Sequence, residues 1–364
     1  MTKKQTKLDY GLLGLVLLLL IFGLTILYSA STVESFKNFG NSTYYIYHQL
    51  LYGGLLGLIA MLILSKVDYH VWQKILPVFL LATLALLGAV KVPGLGFGAG
   101  GAERWVHIGP IFFQPSELAK LAIIFYIASW ADKRKVNDFS FGLLPSLVVI
   151  ALYALLILWQ PDLGTMLVLV SIAAAMLFAS GISWKYFFWT VVSTLLLLYA
   201  VIKLEPYRAK RLLVFLNPQS DPQGIGYHIN QALLAVGSGW LFGYGYGLSR
   251  QKHNYLPQVM NDSIFAVAAE ELGFFRILIL LVLFGLFALK GFSVAKNAPD
   301  TFGRMTALGI TFWIIIQAVI NIGAMVNLLP LTGIPLPFFS YGSTSLLVNL
   351  SAIGIMLNIA RQSA

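Results

Sequence analysis

Only 14 Asp and Glu residues stand among 364. Several interrupt long apolar runs, where an unpaired charge is expensive and usually serves a function. Asp262 lies in Asn261-Asp262-Ser263-Ile264-Phe265, at the start of such a run. Asp and Ser are favoured helix N-caps. The same carboxylate at a membrane face, beside a basic segment, has the chemistry of a general base. Residue type alone leaves both readings open. Glu270 and Glu271 follow two turns later, with Arg276 beyond them. A partial pairing with Arg276 is possible, and a polar cavity is the expectation. Glu117 and Lys120 share one helical face, the spacing of a buried ion pair. Asp162, in Gln160-Pro161-Asp162-Leu163-Gly164-Thr165, reads as another N-cap.

The basic residues point to an anion. Arg104 follows a Gly-rich stretch and precedes Trp105. Arg suits bidentate phosphate contact and Trp suits a membrane interface. Residues 203–263 carry Lys203, Arg208, Lys210, Arg211, Arg250 and Lys252 against Glu205, Asp221 and Asp262. Either this is a solvated loop, or it faces an anionic partner such as a phosphate-bearing lipid. The segment Pro335-Leu336-Pro337-Phe338-Phe339-Ser340-Tyr341-Gly342-Ser343-Thr344-Ser345 is a broken, hydroxyl-rich entry into an apolar run. Such backbone is tolerated at membrane depth where it is buried or lines a cavity.

Other chemistries lack their residues. No G-x-x-x-x-G-K-[ST] occurs, which excludes a P-loop ATPase. Gly96, Gly98 and Gly101 fit G-x-G-x-x-G, but no strand is expected there, so a dinucleotide site is rejected. There is no H-E-x-x-H, the five His are scattered, and Cys is 0. A structural metal site and disulfides are not expected. Energy must come from an activated substrate or an ion gradient.

The elements that position these groups are membrane helices. The chain is 59% hydrophobic and 10% charged, with mean hydropathy +0.82, against about 25% charged in soluble domains. Apolar blocks predict ten spans at roughly 10–30, 49–65, 72–90, 115–131, 141–159, 163–180, 184–202, 264–289, 305–326 and 339–359. They form a single membrane domain over 1–364, with a large extracytoplasmic loop at 203–263. The first run, Tyr10 to Val33, is uncharged and reads as a retained anchor. With the N-terminus inside, Lys3, Lys4, Lys7, Lys66, Lys74, Lys133, Arg134, Lys135, Lys185, Lys290, Lys296, Arg304 and Arg361 fall on the cytoplasmic side. Short outer loops hold Lys37, Lys91 and Arg104. This asymmetry puts both termini in the cytoplasm and accounts for much of the +10 net charge without nucleic acid. Trp72, Trp105, Trp130, Trp159 and Trp184 fall near span ends, as an interfacial belt would. Gly53, Gly54 and Gly57 form a small-residue patch for packing within the bundle or against a partner. No internal repeat of the transporter type is evident.

Several segments resemble one family when taken in order. They are Gln114-Pro115-Ser116-Glu117-Leu118-Ala119-Lys120, Gln160 to Thr165, Asp221-Pro222 with Gly226-Tyr227-His228, Gly237-Ser238-Gly239, Tyr255-Leu256-Pro257, Asp262 with Ile264-Phe265, Glu270-Glu271-Leu272-Gly273, and Pro335 to Gly342. Together they look like the SEDS family (shape, elongation, division and sporulation), the FtsW/RodA/SpoVE peptidoglycan glycosyltransferases. Gly247-Leu248-Ser249-Arg250-Gln251-Lys252 is more similar to the FtsW (division) branch than to RodA (elongation). Asn261, Gln258, Trp240 and Ser343 depart from the usual family residues.

The resemblance implies an all-α, ten-helix SEDS-type fold in the bacterial cytoplasmic membrane. It implies polymerisation of lipid II outside the membrane, with undecaprenyl pyrophosphate leaving and a GlcNAc 4-hydroxyl attacking. The family's essential Asp maps onto Asp262, which raises the general-base reading above the cap. Arg104, Lys120, Arg208 and Arg211, with a divalent cation (Mg2+ or Mn2+) as a further candidate, would stabilise the pyrophosphate. Trp105, Glu117, Asp162, Gln231, Glu271 and Ser340 complete the substrate-binding candidates. A class B penicillin-binding protein and other divisome membrane proteins are the implied partners. The alternatives are a RodA-type elongation polymerase, a lipid II flippase that makes no bond, and a scaffold of the division or elongation machinery.

Overall fold

Asp9 starts the first helix by accepting the Leu12 N–H at 3.0 Å, and Gly40, at φ 66°, ends it. The structure, a computed structural model, describes residues 8–99, 102–108, 111–133 and 142–363. Its longer helices are α1 Tyr10–Phe39, α2 Tyr44–Leu64, α3 Leu76–Ala89, α4 Pro115–Lys133, α5 Leu144–Trp159, α6 Leu163–Ala179, α7 Trp184–Leu204, α8 Pro206–Leu216, α9 Ile225–Ser238, α10 Ile264–Lys296, α11 Thr301–Met325 and α12 Ser343–Gln362. Six of them (α1, α2, α7, α10, α11, α12) are long and apolar enough to cross a membrane, and α3, α5 and α6 are shorter apolar helices. With α4, which has 19 residues, the expected spans all have a helix. The 203–263 segment is more structured than a loop, since it contains α8 and α9.

Residues 102–108, 160–162, 208–211, 260–263 and 331–344 meet at one end, where Arg104 donates to Pro161 O, Arg211 to Leu331 O and Tyr341 N–H to Met260 O. Lys66, Lys74, Lys185, Lys290, Lys296, Arg304 and Arg361 lie at or near helix ends on the opposite side of the bundle. Lys3, Lys4, Lys7, Arg134 and Lys135 are outside the described residues.

The structure corrects one expectation at the Gly-rich stretch. β1 Gly96–Ala99, β2 Ala102–Ile108 and β3 Ile111–Phe113 form an antiparallel sheet in that order. Phe97 pairs with Trp105 and Val106 with Phe113. The strands hydrogen-bond in a meander between α3 and α4, not in a βαβ unit, so the dinucleotide reading stays rejected. Gly101 lies outside the described residues. Trp130 departs from the interfacial belt: it is buried, and its Nε1–H donates to Gly142 O at 2.8 Å.

Close helix contact explains the small-residue patch. A Cβ at Gly53 would stand 3.1 Å from Ser343 Cα, and one at Gly57 would stand 2.7 Å from Leu350 Cδ1. These glycines let α2 press against α12 within the bundle. A π-helical stretch, Gln49–Leu55, occurs at the same contact.

α10 is broken at Gly273, where φ is 74° and ψ is 176°. That left-handed backbone favours glycine. The chain at 240–245 closes the break. Trp240 O and Leu241 O accept from Phe274 and Phe275 N–H at 2.8 and 3.2 Å. Tyr244 and Gly245 N–H donate to Glu270 O and Glu271 O at 3.0 Å each. Backbone groups freed by the break are thus satisfied inside the protein, as membrane depth requires.

Candidate active site

Three neighbouring backbone carbonyls hold Asp262 in place. Met260 O accepts from Tyr341 N–H at 2.8 Å, Asn261 O from Ser340 Oγ at 2.5 Å, and Asp262 O from Asn321 Nδ2 at 2.8 Å. The helix cap is Ser263, one residue later, so the cap reading of Asp262 does not hold. Ser263 Oγ donates to Pro257 O at 2.8 Å. It therefore accepts from His228 Nε2–H at 2.6 Å, which fixes the proton of the neutral ring on Nε2.

The Asp262 side chain is left uncommitted. The residue is 7% exposed. Its Oδ1 has no hydrogen-bond partner among the described residues. Its Oδ2 faces Gly333, where an added Cβ would lie 3.8 Å away. Burial pushes the carboxyl up to about 6, against the N–H groups of Asp262 and Ser263 and the charge of Arg211. Burial and the same Arg211 charge hold His228 down at about 4. Near neutrality this gives an ionised carboxylate beside a neutral imidazole.

Arg211 belongs to a pocket lined by Arg104, Pro161, Leu163, Arg208, Arg211 and Thr332. β2 supplies Arg104, whose Nη2–H donates to Pro161 O at 2.7 Å and whose Nε lies 3.8 Å from Asp162 Oδ2. α8 supplies Arg208 and Arg211 one turn apart, donating to Val201 O and Leu331 O at 3.1 Å each. Their main-chain contacts aim the guanidinium groups, and a carboxylate close to the pocket is that of Asp162. Asp162 is also the N-cap of α6, as expected, accepting from Thr165 N–H at 3.1 Å and Thr165 Oγ at 2.8 Å. Three guanidinium groups in one small pocket suit a phosphate-bearing anion.

Other sequence candidates sit elsewhere. Lys120 does not line the pocket. It is buried, with Nζ 2.9 Å from both Glu117 Oε1 and Gln317 Oε1 and 4.6 Å from the Trp313 ring centroid. The Glu117–Lys120 pair has the buried form its spacing suggested. Glu270 and Glu271 are fully buried and engaged by the 249–252 segment, where a polar cavity was expected. Glu270 accepts from Ser249 Oγ at 2.5 Å and from the Arg250 and Gln251 N–H groups. Glu271 Oε1 lies 2.9 Å from Lys252 Nζ and 2.6 Å from Ser29 Oγ. The pairing with Arg276 is absent: Arg276 is exposed and donates to Phe242 O at 2.8 Å. Ser340 ties Asn261 O to Leu336 N–H. Trp105 is half-buried on β2 and does not line the pocket. Gln231 is half-buried on α9.

His228 entered the reading of the sequence only as part of Gly226-Tyr227-His228, and neither Gln317 nor Asn321 stood out. A signal existed for the last two, polar amides one turn apart in a run without charge. A divalent ion finds no fitting ligand set. Among the described residues no three His, Asp or Glu side chains group closely enough to hold one. The nearby pocket is lined by three guanidinium groups, which repel a metal ion rather than hold one.

Comparisons with known proteins agree with this architecture. The FtsW/RodA/SpoVE family model, described as cell cycle protein, matches residues 10–364. Stage V sporulation protein E of Bacillus subtilis (strain 168) is 41% identical over 365 residues, covering 100% of both chains. The probable peptidoglycan glycosyltransferase FtsW of Geobacter metallireducens is 40% identical, covering 98% of this chain and 96% of that one. A chain of a solved peptidoglycan synthase complex, described as coordinating polymerization and crosslinking, superposes with TM-score 0.81 at 29% identity and covers 98% of each chain. The rod shape determining protein RodA of Thermus thermophilus superposes with TM-score 0.72 at 28% identity, over 98% of this chain and 97% of that one.

Proposed function

Because the chain belongs to the FtsW/RodA/SpoVE family, we propose that it is a peptidoglycan glycosyltransferase that polymerises lipid II at the outer face of the cytoplasmic membrane. Asp262 takes the proton of the acceptor GlcNAc 4-hydroxyl as that oxygen attacks the anomeric carbon of the donor. The new C–O bond forms as the anomeric C–O bond to undecaprenyl pyrophosphate breaks, and its electron pair leaves with the diphosphate. Arg104, Arg208 and Arg211 hold that charge. General-base help is worth roughly 10²–10⁴-fold, and each preorganised donor to the leaving charge roughly 10²–10³-fold.

The observation that carries this reading is the pairing of an uncommitted Asp262 carboxylate, raised to about 6, with a pocket of three arginines whose Arg211 acts on it electrostatically. The unequal distribution of Lys and Arg between the two ends supports cytoplasmic termini and an outer site. Similarity to the synthase complex supports a class B penicillin-binding protein as partner. FtsW relatives and the Gly247–Lys252 segment support septal synthesis in cell division as the role.

The test is lipid II polymerisation by the purified chain in detergent, where no two compartments exist and a flippase has nothing to transport. Glycan strands are the expected product. Absence of strands with the transpeptidase partner present would remove the enzymatic reading.

A further inference from the structure

α11 presents Trp313, Gln317 and Asn321 one turn apart along one face. Gln317 Oε1 accepts from Lys120 Nζ at 2.9 Å and from Trp313 Nε1–H at 2.8 Å. Two donors on that oxygen leave the amide one orientation, with Nε2–H donating to Pro335 O at 2.9 Å. One turn further on, Asn321 Nδ2 donates both to Asp262 O and to Ile334 O, at 2.8 Å each. The Ile334–Pro335 segment follows Gly333, the residue facing Asp262 Oδ2.

We propose that Asn321 is a positioning residue for Asp262, its amide joining the backbone of the base to a segment that Lys120 and Gln317 hold still. This rests on the reading of Asp262 as the base. It also gives the buried Lys120–Glu117 pair a role in the reaction without contact with the pyrophosphate. Asn321 uses both N–H donors on two main-chain carbonyls. A longer, shorter or apolar side chain cannot make both bonds at the same helix position. The two loops would then separate, and the carboxylate would leave the place the acceptor hydroxyl must meet.

The titratable or charged groups acting on Asp262 from the packed elements are Arg211 of α8 and, through Ser263, His228 of α9. α11 contributes the uncharged amides, and α4 contributes Lys120 and Glu117 behind Gln317. Loss of the Asn321 bonds lets water reach the carboxylate without changing these charges, so its affinity for a proton should fall.

The experiment is steady-state lipid II polymerisation by purified full-length protein carrying Asn321→Leu, Asn321→Ala or Asn321→Gln, with Asp262→Asn alongside. The expected result for Asn321→Leu is a fall in kcat on the order of 10²-fold with KM changed less than about twofold, the pattern of a lost transition-state interaction. Its acid limb should move to lower pH. Asn321→Ala, which leaves room for a water to bridge the two carbonyls, should fall between Asn321→Leu and the parent. Asn321→Gln should lose kcat because its donor is displaced. Variants with parental kcat and an unmoved acid limb would overturn the proposal. So would variants that do not fold, because the clamp would then be structural. If Asp262→Asn polymerises normally, the functional reading fails; if it is inactive while Asn321→Leu keeps the parental limb, the positioning role alone fails.

Discussion

Asp262 stands two residues before α10 and Glu270–Glu271 two turns inside it, yet the bundle treats these acids in opposite ways. Glu270 takes three donors from Ser249, Arg250 and Gln251. Glu271 has a cation, Lys252, at 2.9 Å. Asp262 has no ion pair among the described residues, and one of its oxygens has no hydrogen-bond partner there. The first arrangement fastens the 249–252 segment to the helix just before the Gly273 break. The second leaves a buried proton acceptor that does not itself line the cationic pocket but lies within reach of the charge of Arg211. Glu271 also keeps one oxygen, Oε2, without a hydrogen-bond partner among the described residues, so its difference from Asp262 lies in the counter-charge: a buried acid paired with a cation holds structure, and one without an ion pair is available for chemistry.

The largest effect expected from this contrast is structural. Glu271→Gln leaves Lys252 buried without its counter-charge and should cost about 3–5 kcal/mol, seen as a steep fall in detergent melting temperature. Adding Lys252→Met should recover much of that stability. A Glu271→Gln protein that melts with the parent but has lost catalysis would break the contrast. Next in size is the pocket. Arg104→Ala or Arg211→Ala should lower lipid II turnover roughly 10²–10³-fold with little change in melting, and Lys should rescue neither, because it cannot reproduce the guanidinium fork. The smallest effect is a gain. Asp262 titrates near 6 in the fold and near 3.8 unfolded, so the fold prefers the protonated form and is weakened as pH rises through that window. Asp262→Asn removes the penalty. It should therefore raise stability by at most about 3 kcal/mol above pH 6 and make no difference below about pH 4. Melting of both proteins across pH checks the sign.

Much of the frame was legible because long apolar runs depend on composition. Arg208 and Arg211 were legible for a similar reason: the excess of basic over acidic residues in 203–263 pointed to an anionic partner as one of its two readings. Burial was not legible. Lys120 looked like a ligand for diphosphate, and only its enclosure by Glu117, Gln317 and Trp313 shows otherwise. Glu271 looked like a cavity wall because its partner, Lys252, is 19 residues away across a chain reversal. The Gly96–Phe113 sheet escaped because short strands among glycines carry little periodicity. Asn321 was overlooked because its two acceptors are main-chain carbonyls, which residue types do not reveal.

The central claim is tested most directly by the pH dependence of lipid II polymerisation by the parent and by Asp262→Asn, from pH 5 to 8. The parent rate should fall as pH drops through about 6, where Asp262 takes up its proton. The variant should run at least about 10²-fold slower at every pH, without that inflection. A variant that polymerises at the parental rate, or a parent whose rate is level across pH 6, would contradict Asp262 as the base.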